Sequence, residues 1–543
     1  MYTLFVASLA CLLILLGGRE RCGAQVPVPR GELRIVDRRP PNVGLAIVSS
    51  VVECLVELDH RGELVPRLAT GWQWLDDRTL VMTLRHGVTF HNGEVFDAAI
   101  VKRNWDEYHS FQEMPRPGAP SWAFPAESRL EILDPYTVRF VLSEPYSAAL
   151  VRLAAMGIMN RQFWREKAVA GYWGTYLALG PWGTGPYKWV EGYAPVGARP
   201  SPQIVLEANL AYWDAARLPR LQRIVFDNTL TPDAALELVK TSEGRVDLVA
   251  DVRPLDTLRV AESPFAKVVK ERGGLRNVFG LFNMYKSGSP WQDSRLRQAV
   301  NYAINREDFI RYATRGNGTI VPALLPPGAF GYDPDLTPYP FDPAKAQHLL
   351  REAGYANGLA ITLIAPKTLE VQATVVGKML EQAGFTVQQR LFDDADAFFR
   401  MVVVDSFRGR SWPDWDIALE ATTLPGALAY APTFLYHHYV LGGVVDWVTE
   451  QPELRRRYQE LLWTVDRDRQ RVVIRQMEQH TRDQAYFLFL YNLVQLYAVN
   501  KAVEFVPHPS GAFSLAETTV TEQHWSVREA QKGAGETQGP VQK

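Results

Sequence analysis

Between residues 359 and 392 the chain can follow only a few paths. Ile361 to Ala365 is a short apolar run of strand length, and Thr386 to Phe392 is a second. Between them Val371, Val375, Val376, Met379, Leu380 and Ala383 recur at the spacing of one helical face, and Gly384 stops that helix. A strand, a crossover helix and a returning strand make a parallel pair with a right-handed connection. The fold class is therefore α/β. Upstream, Leu296, Ala299, Val300, Ala303 and Ile304 form another helical stripe. Asp342-Pro343 supplies an N-cap with proline at the first helical position, and Gly354 ends that helix.

The remaining pattern is mixed α and β. Leu80, Met82 and Leu84 alternate with Thr79, Val81 and Thr83, which predicts a half-buried strand. His91-Asn92-Gly93 is a tight-turn signal, Asp97 caps a helix running to about Tyr108, and Asp134-Pro135 joins two strands in a hairpin. With 543 residues and about 100–200 residues per domain, two to four domains are expected. Lys plus Arg number 58 against 60 Asp plus Glu, a net charge of −2 that lacks the basic excess a nucleic-acid partner requires. Cys11, Cys22 and Cys54 are too few for a disulfide framework and have no zinc-site spacing. Residues 1–24 read as a signal peptide, because the apolar run Leu4 to Leu16 is followed by Cys22-Gly23-Ala24 as a small-residue cleavage site. As a helix that run rises only about 20 Å, short of a hydrocarbon core of roughly 30 Å. Lipid attachment at Cys22 is disfavoured by Arg19-Glu20-Arg21. After about Val520 apolar residues thin out, and 521–543 are expected to be a disordered tail.

Catalytic signatures are scarce. The sequence holds no G-x-S-x-G elbow, no H-E-x-x-H and no phosphate-binding loop ending in Gly-Lys-Ser/Thr. His437-His438 is read as lying on a strand, where neighbours face opposite ways and cannot share one metal ion. Asp393, Asp394 and Asp396 could supply paired carboxylates or could open a solvated loop. No metal and no cofactor are expected.

Several blocks together resemble a known family. They are Glu63-Leu-Val-Pro-Arg-Leu-Ala-Thr-Gly-Trp72, Leu84-Arg85-His86-Gly87-Val88-Thr89-Phe90-His91-Asn92-Gly93, and Gly183-Thr-Gly-Pro-Tyr187. Phe282-Asn283, Asp293-Ser-Arg-Leu-Arg-Gln-Ala-Val-Asn-Tyr-Ala-Ile-Asn-Arg-Glu307 and Tyr339-Pro-Phe-Asp-Pro continue the likeness. The chain resembles solute-binding protein family 5, the oligopeptide, dipeptide and nickel receptors of ABC importers. The resemblance implies the two-lobed periplasmic-binding-protein-like fold (type II, cluster C), hinge-connected and with an extra inserted domain. It implies domain I at 25–55, 182–275 and 485–520, domain II as the insertion 56–181, and domain III at 276–484. Loops near 276–290 and 485–495 become the two hinge crossings, with Asn283, Gly288, Tyr491 and Asn492 in them.

The same resemblance implies an extracytoplasmic or periplasmic monomer that captures a peptide or other small solute by closing, and hands it to a membrane permease and its ATPase. Peptide-binding members place an aspartate in the loop after the strand resembling Asp416-Ile-Ala-Leu-Glu420. Here Pro425 takes the aspartate position and Thr422 the usual tryptophan, with Glu420 as a substitute acid. Trp412, Trp415, Tyr430, Tyr436 and Tyr439 surround that loop and offer stacking faces with polar edges. The expected ligand-binding set is Asn42, Trp182, Asn283, Tyr285, Arg408, Trp412, Trp415, Thr422, Thr423, Tyr430, His437, Tyr491 and Asn492. A nickel-chelate receptor using His437, a hydrolase using Asp393, Asp394 or His437, and a peptide sensor or chaperone-like module are the alternatives.

Overall fold

The computed structural model describes residues 28–37, 42–59, 62–112, 124–167, 180–193, 201–272, 274, 276–394, 397–398, 400–404, 414–421, 432–440, 446–449, 451–508 and 513–536. The described chain opens with β1 (Glu32–Val36) and the helix Asn42–Val51. A small hairpin, β2 (Val56–Leu58) and β3 (Leu64–Pro66), leads into β4 (Ala69–Trp74) and β5 (Thr79–Leu84). After the helix Ala98–Gln112 come β6 (Arg129–Asp134) and β7 (Thr137–Val141). These last four strands form one antiparallel sheet in the order β4-β5-β7-β6. The alternation expected in β5 is present, since Leu80, Met82 and Leu84 are fully buried. Asp97 caps the helix that follows, accepting from the Ile100 N–H at 2.9 Å.

The chain then builds β8 (Tyr187–Glu191), β9 (Gln203–Ala208), β10 (Arg223–Asp227), β11 (Leu248–Val249) and β12 (Ala266–Glu271). It passes through 272–276 into β13 (Asn277–Phe282), β14 (Gly318–Ile320), β15 (Leu359–Pro366), β16 (Phe385–Phe392) and β17 (Ile417–Ala421). It returns along β18 (Phe487–Leu493) and, past Val494, β19 (Gln495–Asn500). Among the described residues, two large sheets result, in the orders β12-β19-β11-β1-β10-β9-β8 and β14-β18-β13-β17-β15-β16. β15 and β16 pair in parallel as their crossover helix demands.

Two main apolar cores correspond to two lobes. One unites the first large sheet with the four-stranded sheet, so Leu33, Ile35, Leu80, Met82 and Phe140 pack in a single cluster. The other holds the second large sheet and the helices around it. The inserted segment is thus fused to the first sheet, and the motifs show how. The turn Gly183-Thr184-Gly185 lies against the end of the helix Asn42–Val51, where Gly185 N–H donates to Val51 O at 2.9 Å. A Cβ on Gly183 would sit 1.9 Å from Val51 O, so only glycine permits this approach. His91 holds the same turn from the insertion, its N–H donating to Gly183 O and its Nε2 lying 2.9 Å from Gly185 O. Beneath it, buried Glu53 accepts from Tyr212 Oη (2.6 Å), Trp213 Nε1 (2.7 Å) and Thr184 Oγ1 (2.8 Å).

In the second lobe the long motif is likewise structural. Buried Arg306 donates to Phe489 O at 2.8 Å, Asn301 Oδ1 at 2.8 Å and Tyr339 O at 3.1 Å, and burial lowers its pKa to about 10. Asn301 donates to Phe487 O at 2.9 Å. One motif therefore fastens the helix Ser294–Ala303 to β18.

The structure corrects three expectations. β18 belongs to the second sheet, so the return crossing falls at Val494, and the second lobe extends through Leu493 instead of ending at 484. Residues 521–536 are ordered, with a helix at Trp525–Glu536. Asp247 Oδ1 binds Trp525 Nε1 at 2.9 Å and His524 Nε2 at 3.1 Å, while Glu32 N–H donates to Ser526 Oγ at 2.9 Å. A few polar anchors thus replace the apolar residues whose thinning suggested disorder; 537–543 lie outside the described residues. His437 and His438 lie in the helix Pro432–Val440, not on a strand. The β-branched and aromatic residues there suit either state, but Pro432 opens a helix and Leu435, Tyr436, Tyr439 and Val440 share a buried face.

His91 sets a measurable pH response. Its Nε2–H is committed to Gly185 O and its buried Nδ1 has no partner, so protonation is disfavoured and burial lowers the pKa to about 4. The unfolded state then binds the extra proton between that value and the ordinary 6.5, so stability is full above the window and falls as pH drops through it. Denaturant titrations from about pH 7 to pH 4 should show a loss of order 3 kcal/mol from this group. His91→Gln, which keeps a donor toward Gly185, should flatten that part of the slope.

Candidate functional site: the inter-lobe crevice

The strand registers place the carboxyl ends of both parallel sets at the crossings. In the first sheet β1 is parallel to β10 and β11, and its last residue Val36 pairs with Val249, which pairs in turn with Ala498; the antiparallel register runs from Val499 to Ala498, toward the start of β19. In the second sheet β15 is parallel to β16 and β17, and Ala421, the last residue of β17, pairs with Val278 at the start of β13. The carboxyl ends of β1, β15, β16 and β17 therefore point toward the connection between the lobes. Ligands of open α/β sheets bind outside the carboxyl ends of strands. Here two such edges face one hinge.

The hinge itself is a pair of adjacent connections. Asn277 of β13 pairs with Asn492 of β18, while Glu271 of β12 pairs with Gln495 of β19. Asn492 holds the two connections together, its Nδ2 donating to Gly274 O (2.8 Å), Arg276 O (3.1 Å) and Asn277 Oδ1 (3.1 Å). Lys270 reaches across to Asn317 Oδ1 at 2.8 Å, and Arg276 lies 3.9 Å from Asp251.

At the crevice end of the first sheet, Asp37 follows β1 directly and is 2% exposed. At the second, Tyr491 is buried and its hydroxyl accepts from Gln372 Nε2 at 3.2 Å, from the first turn of the helix after β15. Glu420, next to the end of β17, accepts from Tyr439 Oη at 3.5 Å, and its buried Oε2 has no hydrogen-bond partner among the described residues. Desolvation raises its pKa to about 8, against a weaker opposing pull from the Tyr439 hydroxyl.

The expected site residues divide by sheet end. Tyr491 and Asn492 lie at the crossings, and Asn492 serves the hinge directly. Asn283, Tyr285 and Trp415 lie at the opposite pole of the second sheet, beyond the end of β13 and before the start of β17. Asn283 there donates to Trp415 O at 3.1 Å, Tyr285 donates to Val448 O at 3.0 Å, and Trp415 is fully buried against Trp447. Trp182 is buried against Phe163 in the first lobe. Tyr436 is also buried, donating to Glu478 at 2.5 Å. The backbones of Asn42 and His437 lie in helices, but their side chains fall outside the described residues, as do Arg408, Trp412, Thr422, Thr423, Pro425 and Tyr430. Gln372 was missed; its sequence signal was its place in the first turn of a helix that follows a parallel strand.

The residues considered for hydrolysis are otherwise engaged. Asp393 pairs with Lys367 at 2.9 Å and Asp394 with Arg400 at 3.5 Å, all four on exposed side chains. Asp396 and the side chain of His437 lie outside the described residues. Among the described residues no group of three His, Cys, Asp or Glu side chains could hold a metal ion.

Two lobes are joined by a double crossing, and the parallel-strand ends of both sheets lie toward it. Residues 63–439, more than half the chain, match the bacterial extracellular solute-binding proteins, family 5, and the chain belongs to that family. It is 29% identical over 324 residues to the dipeptide-binding protein of Escherichia coli (strain K12), covering 56% of this chain and 57% of the relative. It is 28% identical over 355 residues to heme-binding protein A of Haemophilus influenzae, covering 62% of each. Each match spans less than two thirds of the relative's length. In three dimensions it is similar to a putative peptide binding protein AppA from Clostridium difficile (TM-score 0.76, 17% identity, 90% of this chain and 100% of that one). It is also similar to NikA from Brucella suis in complex with Fe(III)-EDTA (TM-score 0.75, 20% identity, 90% and 100%).

Replacing Asn492 tests the hinge. Asn492→Leu should cost about 1–3 kcal/mol by removing the donor to Gly274 O and Asn277 Oδ1, while Arg276 O keeps the Leu493 N–H. Hydrogen exchange at the Asn277 and Leu493 amides should quicken more than at β15 and β16.

Proposed function

We propose that this chain is the extracytoplasmic receptor of an ABC importer, working as a monomer that captures a small solute between its lobes and presents the closed form to a permease. The observation that carries the reading is the pair of parallel-strand edges facing one another across a clamped double crossing. A solute touching both edges gains its full interaction energy only in the closed state, so it shifts the population toward closure. For a ligand of about 1 μM affinity the net gain is roughly 8 kcal/mol after ordering costs. Binding and release need no bond chemistry. Relatives are named for binding dipeptides and heme, and a neighbour of the same fold was solved in complex with Fe(III)-EDTA, so the fold accepts solutes of different chemistry.

For this chain a short peptide or another solute with a protonated amine is the best-supported cargo. Glu420 supports it, because a carboxyl oxygen buried without a partner at the crevice edge is costly until a cation meets it. The linkage has a definite sign. Glu420 titrates at about 8 when folded against an ordinary 4.5, so its contribution is full below the lower value and is lost as pH rises through the window.

Native mass spectrometry of the purified protein should find an intact small solute at one per chain; recovery of a cleaved solute would favour the enzyme reading. In thermal melts near pH 8, alanyl-alanine should raise the Tm of the wild type more than N-acetyl-alanyl-alanine does. Glu420→Gln should erase that difference and flatten the ligand-free Tm between about pH 5 and pH 8. Equal shifts from the two dipeptides in the wild type would remove the amine assignment and leave the receptor reading standing.

A further inference from the structure

We propose that the inserted segment 56–181 carries its own closing contact with the second lobe, a clasp separate from the crossings and from the crevice edges. The inference rests on the hinged reading above but not on any particular solute. Leu58 of β2 is only 5% exposed and is part of the second lobe's core, although its strand belongs to the other lobe. Leu64 of β3 packs against both cores, and so does Leu462, from the helix Pro452–Trp463. A backbone bond joins the same surfaces, Ser147 N–H donating to Leu462 O at 2.8 Å. Beside it, Arg467, the first residue of the helix Arg467–Asp483, lies 3.7 Å from Glu63. Its guanidinium sits 3.4 Å from the centre of the Phe330 ring.

These contacts are of different kinds. The leucines form an apolar plug whose burial is non-directional and scales with area. The Ser147 bond is directional and fixes register. The Glu63–Arg467 pair is half-exposed and weak by itself, but it orients Arg467 over Phe330. Opening the crevice by rotation at 272–276 and Val494 must expose the plug and break the backbone bond. The clasp therefore favours the closed form before any solute arrives. A ligand then has to supply less differential affinity, and the reduction in apparent affinity caused by an open resting state is smaller. The inserted domain thus has a mechanical role: it sets how far the empty receptor rests toward closure.

The test uses the full-length, solute-free protein and needs no knowledge of the cargo. Hydrogen exchange at the Ser147 amide should be at least tenfold slower in the wild type than in Leu64→Asp. Solution scattering should give a larger radius of gyration for Leu64→Asp than for the wild type. Leu75→Asp, the same change at an exposed leucine of the insertion, should match the wild type in both measurements. Should Leu64→Asp fail to fold, Glu63→Arg serves instead: it should enlarge the empty protein and speed Ser147 exchange, and Glu63→Arg with Arg467→Glu should restore both. Ser147 exchange as fast in the wild type as in the variants, or an unchanged radius across the set, would overturn the clasp. If no solute ever raises the Tm, the receptor reading fails while the exchange and scattering results stand independently.

Discussion

Strand direction at the double crossing is the constraint on which this molecule depends. β12 and β13 carry the chain out of the first sheet, and β18 and β19 bring it back alongside. Because both routes are antiparallel neighbours, the parallel strands in each sheet end at the same place. Both sets of parallel-strand ends are thereby brought to the connection between the lobes. Asn492 makes the arrangement definite by joining Gly274, Arg276 and Asn277 through one amide.

The motifs by which the family is recognised serve architecture more than cargo. Glu53, Thr184, His91 and the glycines around it weld the inserted domain to the first sheet, so that what reads as two domains behaves as one lobe with one core. Arg306 and Asn301 bind the helix Ser294–Ala303 to β18, the strand that leads into the return crossing. Buried polar groups of this kind are costly unless every partner is present, and for that reason they specify one arrangement among many apolar packings.

Legibility differed from element to element for physical reasons. β5, the hairpin at Asp134-Pro135, and the strand-helix-strand unit from 359 to 392 were readable because period and punctuation agree there. The helix Pro432–Val440 was not, because aromatic and β-branched residues fit both strand and helix and only burial of one face decides. The helix Trp525–Glu536 was hidden because its anchors are distant in the chain, among them the buried carboxylate of Asp247, 278 residues from Trp525. The same distance problem affected the site. Asn283, Trp415 and Glu420 lie close to the ends of paired strands, yet β13 and β17 run antiparallel, and only pairing shows which end faces the hinge.

By itself the sequence determined local structure and family. Hydrophobic period, caps and glycine stops are written within a few residues of where they act, and blocks of motif keep their order along the chain. Tertiary structure alone decided which strand ends meet, that β18 belongs to the second lobe, that the insertion shares a core with the first, and that Glu420 sits with a buried oxygen unpaired. Each of those depends on contacts between residues far apart in the chain, and their energies come from burial and from strand register, neither of which a short stretch of residues can express.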